Sequence, residues 1–126
     1  VGDAAGAAAH AYTLAGASAA IQVTGRYYRE TSYDAALPPA ETLRGHVVGG
    51  SSSFVVAVSP DNEGVVLQRT FDAAYPNQGA DVWVEGEWAG TWYDAGASSF
   101  FQLDQSQLVV SPRLTAGKRT LQVEMR

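Results

Sequence analysis

The stretch ADVWVEGEWAGTWYD, residues 80–94, holds all three tryptophans of the chain, Trp83, Trp88 and Trp92, next to Tyr93 and among the carboxylates Asp81, Glu85, Glu87 and Asp94. Just upstream, Tyr75, Asn77 and Gln78 add another ring and two amides. Aromatic rings mixed with short polar side chains suit the recognition of sugars. An indole face stacks on the C–H side of a sugar ring, while Asp, Asn, Gln or Glu ligates its hydroxyls. The same acids raise a second chemistry, since a glycosidase needs two carboxylates about 5–9.5 Å apart. Asp81 with Glu85, or Asp94 with Asp81, are the pairs nearest the aromatics. Thirteen acids make some such pair inevitable, so hydroxyl ligation or plain solvation is the better reading and no catalytic residue is assigned.

Strand arithmetic decides where these side chains point. Glu85-Gly86 lies between two strand-like runs and is close to the Asp-Gly signal of a two-residue hairpin. In that register Val84 pairs with Glu87, Trp83 with Trp88, Val82 with Ala89, and Asp81 with Gly90. One face then carries Ala80, Val82, Val84, Ala89, Thr91 and Tyr93, and the other Asp81, Trp83, Trp88, Trp92 and Asp94. Val82 and Val84 match core-facing files elsewhere, which turns the tryptophan face outward as a platform. Packing is the competing reading, because tryptophan is mostly buried in small β-proteins and a slip of one residue sends Trp83 and Trp88 to opposite faces. Both readings stay open for Trp83 and Trp88. Trp92 leans to packing, although this register sets it on the platform face.

The elements that must position this hairpin show period two throughout. Leu121, Val123 and Met125 alternate with Gln122 and Glu124, Ile21 and Val23 with Gln22 and Thr24, and Phe54, Val56 and Val58 form a third apolar file. Val65, Leu67 and Phe71 share a face with Arg69, whose inward direction marks a strand end or a polar contact. Turn residues at Gly49-Gly50, Pro60 to Gly64, Pro76 to Gly79, Asp94 to Gly96 and Thr115 to Lys118 separate these runs. The pattern predicts an all-β fold, an antiparallel β-sandwich of jelly-roll-like type. The Ala-rich opening is expected to lack a helix because of its glycines and a strand near His10 to Leu14. Thr31 to Arg44 is the longest irregular segment, with room for a short helix after Pro39, and Ser51 to Ser53 reads as a loop.

A length of 126 residues suits one domain with one modest core. The net charge of −5, with eight scattered Lys and Arg, argues against a nucleic-acid binder. No apolar run is long enough to span a bilayer. The absence of cysteine excludes thiol catalysis, disulfides and Cys-ligated zinc. His10 and His46 have no metal-ligand spacing, and no phosphate-cradling glycine motif is present. No cofactor is implied, apart from calcium at Asp61, Asn62 and Glu63, where a polar turn is the better reading. A start without methionine or an apolar leader core points to a processed or excised module, and the Ala-, Gly-, Val- and Asp-rich usage to a GC-rich bacterial gene.

Gly64-Val65-Val66-Leu67 with Arg69 and Phe71, then Asn77-Gln78, then Gly86 and Gly90-Thr91-Trp92-Tyr93, with a closing Leu114 to Lys118 turn, resemble the second jelly-roll of the DUF2961 family, also called glycoside hydrolase family 172. The resemblance covers about half of the chain, from Asn62 onward. It implies a jelly-roll belonging to a furanoside-active protein, with fructofuranose and D-arabinofuranose linkages as substrates. It carries no catalytic pair across, because that family builds its active site mainly with the first jelly-roll. The expectation is a single sandwich, residues 1–126, serving as a carbohydrate-binding module of a secreted bacterial polysaccharide-degrading enzyme. Its site would use Trp83, Trp88, Trp92, Tyr93, Tyr75, Asp81, Asn77, Gln78 and Asp94. A homo-oligomer, a contact with a catalytic domain, or a share in that enzyme's active site are the alternatives for the same face.

Overall fold

Alternating apolar and polar side chains form antiparallel strands over most of the chain. The computed structural model describes residues 4–16, 20–27 and 39–126. A short helix, α1 (Ala4–Ala9), is followed by β1 (Thr13–Ala15), β2 (Ala20–Gly25), β3 (Glu41–His46), β4 (Ser51–Ala57), β5 (Val65–Asp72), β6 (Gln78–Val84), β7 (Glu87–Asp94) and β8 (Leu103–Val110). A single helical turn, α2 (Pro112–Thr115), then leads into β9 (Thr120–Met125). Among the described residues, β1-β4-β9-β6-β7 form one five-stranded antiparallel sheet, and β5–β8 and β2–β3 form two pairs. Three of the pairings are nested, β6–β7 within β5–β8 within β4–β9. A long hairpin rolled onto itself has this order, which is the jelly-roll-like, all-β architecture expected from the sequence.

The core lies where the five-stranded sheet faces β5–β8. Phe54, Val82, Val84, Trp92, Leu121 and Val123 meet Leu67 and Val110 from the opposite layer and Leu114 from α2. Val82, Val84, Val110 and Val123 have no exposed surface, and full burial of such a side chain contributes about 1.5–3 kcal/mol. Gln122 is left outside, as the alternation of β9 requires.

Three local expectations are corrected. The opening does form a helix, because alanine has the strongest helix propensity and one turn tolerates Gly6 at a cost of about 1 kcal/mol. No helix follows Pro39. Residues 41–46 instead pair with β2, from Gly25 opposite Glu41 to Ala20 opposite His46, and residues 31–38 lie outside the described residues. Ser51 to Ser53 begin a strand, since β1 and β9 offer ladders on both sides. Such partners outweigh the weak β-propensity of serine.

Tyr12 packs on Phe54 with ring centroids 6.5 Å apart. Burial pushes its phenol above the usual tyrosine range, and the Ser52 hydroxyl and Arg44 pull it partly back. A folded-state value above the unfolded one contributes stability that is present below the unfolded pKa and is lost as pH rises through the folded value. Urea midpoints measured from about pH 8 to 11 should therefore fall less steeply in Tyr12→Phe than in the parent protein. Equal slopes would show that Tyr12 does not contribute.

Candidate functional site

At the hairpin tip, Glu85 (φ +55°) and Gly86 (φ +80°) both adopt positive φ, as a type I′ turn demands. The first two rungs are those expected, Val84 opposite Glu87 and Trp83 opposite Trp88. The register then shifts by one. Val82 faces Gly90, Asp81 faces Thr91, Ala80 faces Trp92 and Gly79 faces Tyr93. Ala89 is the extra residue of a β-bulge, and Gly90 sits at φ +148°, a region open in practice only to glycine. Gly90→Ala should cost about 1–3 kcal/mol in a urea titration; an unchanged midpoint would mean that the bulge carries no strain.

The bulge reverses the facing of everything beyond it. Trp92 turns inward and is only 4% exposed, so it cannot stack on a ligand, and its place on the platform is corrected. Its indole Nε1 donates to Ser106 Oγ at 2.8 Å. Ser106 Oγ donates in turn to Asp94 Oδ2 at 2.8 Å, and Arg69 forms an ion pair with the same carboxylate. The Arg69 guanidinium also lies 5.3 Å from the ring centroids of both Trp92 and Phe71 and donates to the Gln78 carbonyl. The inward cation foreseen on β5 thus belongs to a polar cluster that joins the two layers. Asp94 Oδ2 is committed to that cluster, which places the carboxylate with Arg69 and Ser106 rather than on the outer face with Asp81.

Thr91 and Tyr93 turn outward instead. The outer face of β6–β7 therefore carries three rungs, Trp83–Trp88, Asp81–Thr91 and Gly79–Tyr93. Trp88 is 55% exposed and Tyr93 57%. Thr91 Oγ1 donates to Asp81 Oδ1 at 2.6 Å. Tyr93 lies against Gly79, where an added Cβ would come within 3.2 Å of Cδ2, and its hydroxyl donates to Asn77 Oδ1 at 2.8 Å. Glycine opposite and an amide at the far end together hold this ring in place. Trp83 is half-buried, with the Arg126 guanidinium 5.0 Å from its ring centroid. Arg126 also grips both carboxylate oxygens of Glu124, at 2.8 and 3.0 Å. This fork holds the Glu124 carboxyl below its usual range and raises Arg126.

The other predicted residues divide between surface and scaffold. Tyr75 is exposed in the β5–β6 turn, beside a depression of about 390 Å³ shared with Asp72, Ala74 and Gln102. Gln78 is spent on the same turn, its Nε2 donating to the carbonyls of Asp72 and Tyr75. Glu85 is also structural, since its Oε1 accepts from the Gln122 backbone N–H at 2.6 Å. Asn62 is bound on both sides of its amide. Nδ2 donates to Ser59 O and Thr115 O, and Oδ1 accepts from Gly64 N and Thr115 Oγ1. Of the calcium candidates, only the exposed Asp61 and Glu63 keep free oxygens, and the described residues hold no group of three metal-ligating side chains. A separate cleft of about 740 Å³ opens beside β3, β4 and β5, and among the described residues its charged linings are Glu41 and Arg69.

Thr91, Glu124 and Arg126 were not among the predicted site residues. Glycine within the β7 pattern was the available signal for a bulge, and hence for Thr91. Nothing in the local sequence tells that β9 lies beside β6. The fold and this face define an antiparallel β-sandwich module with an aromatic, polar-edged outer sheet surface. No family model, curated protein or solved structure matches the chain. No helix among the described residues is long and apolar enough to cross a membrane.

Proposed function

We propose that this protein is a carbohydrate-binding module that attaches a secreted bacterial polysaccharide-degrading enzyme to its glycan through the outer face of β6–β7. The observation that carries the reading is the pairing of two exposed rings, Trp88 and Tyr93, with an oriented Asp81–Thr91 rung between them on one sheet face. Exposed rings offer stacking area without folding work, and Asp81, Thr91 and Asn77 supply polar atoms for sugar hydroxyls. Affinity is weak, because each ring covers little area and each hydroxyl must be desolvated. The resemblance to the furanoside-active family adds arabinans and fructans to the glycans of first interest.

The test is tryptophan emission recorded with arabinans, fructans, xylans and glucans. Trp92 is buried and Trp88 exposed, so binding should blue-shift the red-lying part of the spectrum, and Trp88→Ala should remove that shift. A spectrum unmoved by every glycan would overturn the reading. Exposed aromatic surface also suits a protein interface. A dimer in light scattering that is lost in Trp88→Ala would identify this face as a contact with a second copy instead.

A further inference from the structure

We infer that the outer face of β6–β7 takes an extended, uncharged polysaccharide chain laid along the hairpin, with one ring on Trp88 and another, several rings away, on Tyr93. The inference rests on the carbohydrate-binding reading and adds the class of glycan to it. The spacing of the platforms is the first reason. Their partners on β6, Trp83 and Gly79, are four residues apart, which at ~3.3 Å per residue separates the platforms by about 13 Å along the strand. No single sugar ring reaches both. Between them the Asp81–Thr91 rung carries only short side chains, already tied to one another. A chain can therefore lie flat across the rung and present its hydroxyls to that pair.

Charge supplies the second reason. Arg126, beside Trp83, is held by Glu124. At the hairpin tip Arg113 pairs with Glu87 and Lys118 with Glu85. These three cations are thus matched by carboxylates, and Asp81 adds a further negative charge. Glycans carrying uronate or sulfate groups meet an acidic face on a protein of net charge −5. Neutral chains meet no such repulsion.

The experiment measures Kd by isothermal titration calorimetry for xylan, arabinan, fructan and glucan oligosaccharides of increasing length, from the monosaccharide upward. It adds hydroxyethyl- and carboxymethyl-cellulose as a neutral and a charged form of one backbone. Affinity should step up about tenfold once an oligomer is long enough to cover both platforms, because the second contact becomes intramolecular. Trp88→Ala and Tyr93→Ala should each remove that step, both variants being read by the heat of binding, which needs no tryptophan reporter. Among charged and neutral forms, the neutral one should bind more tightly. Length-independent binding that is lost in Trp88→Ala overturns the two-platform chain while leaving carbohydrate binding in place. Tighter binding of the carboxymethylated form overturns the charge argument in the same way. No response to any probe overturns both readings together.

Discussion

Trp92→Ala should lower the unfolding free energy by about 3–5 kcal/mol, the cost of emptying a large aromatic site in a packed core. Trp92 is 4% exposed within the main cluster. Its loss removes the donor to Ser106 Oγ and one of the two rings beneath Arg69. Domains of this size are stable by only about 5–15 kcal/mol, so the variant should show a much lower urea midpoint and a broadened or partial transition. Trp88→Ala, on the outer face of the same strand, should change the midpoint by less than about 1 kcal/mol. Two tryptophans four residues apart in one strand would thus differ severalfold in their effect on folding. Equal losses in the two variants would mean that Trp88 is buried as well, and the exposed platform would go with it.

Asn62→Ala should be the most damaging change to a polar side chain, costing about 2–4 kcal/mol. The amide of Asn62 holds the β4–β5 turn against the turn before β9 through Ser59 O, Thr115 O, Thr115 Oγ1 and Gly64 N. Thr115 has no exposed surface, so truncation leaves its hydroxyl with only the long contact to Ser111 O at 3.5 Å and its carbonyl with only the Lys118 N–H, both away from water. Asn62→Asp keeps the shape and supplies an acceptor where two carbonyls require a donor, so it should fail to rescue the loss. Thermal midpoints of the parent, Asn62→Ala and Asn62→Asp would decide this. A parent-like midpoint in Asn62→Asp would show that the Nδ2 contacts are unimportant. Adding calcium to the parent should leave its midpoint unchanged, because Asn62 is already satisfied by the fold; a rise of several degrees would assign Asp61 and Glu63 a role in metal binding.

The site was partly legible because local rules are strong near a tight turn. Glu85-Gly86 determined the first two rungs and brought Trp83 opposite Trp88, as two-residue hairpin geometry requires. Beyond the second rung, that register put Trp92 outside and Tyr93 inside, and both were reversed. A single inserted residue, Ala89, exchanges the faces of every side chain that follows it. Gly90 hints at the insertion, but an isolated glycine in a strand is equally compatible with a close approach of another backbone.

Alternation of side chains by itself determined that this chain is all-β, which residues of β4, β5 and β9 face the core, and where the main turns lie. These properties depend on periods of two and on turn residues within a few positions of one another. Tertiary structure alone decided that β9 lies against β6, placing Glu124 and Arg126 beside Trp83. It also decided that Ser106 of β8 and Arg69 of β5 meet Asp94 and the Trp92 indole between the layers. These contacts join residues that are 12 to 43 positions apart. Their energies arise only once distant strands have been brought together, so no local pattern records them.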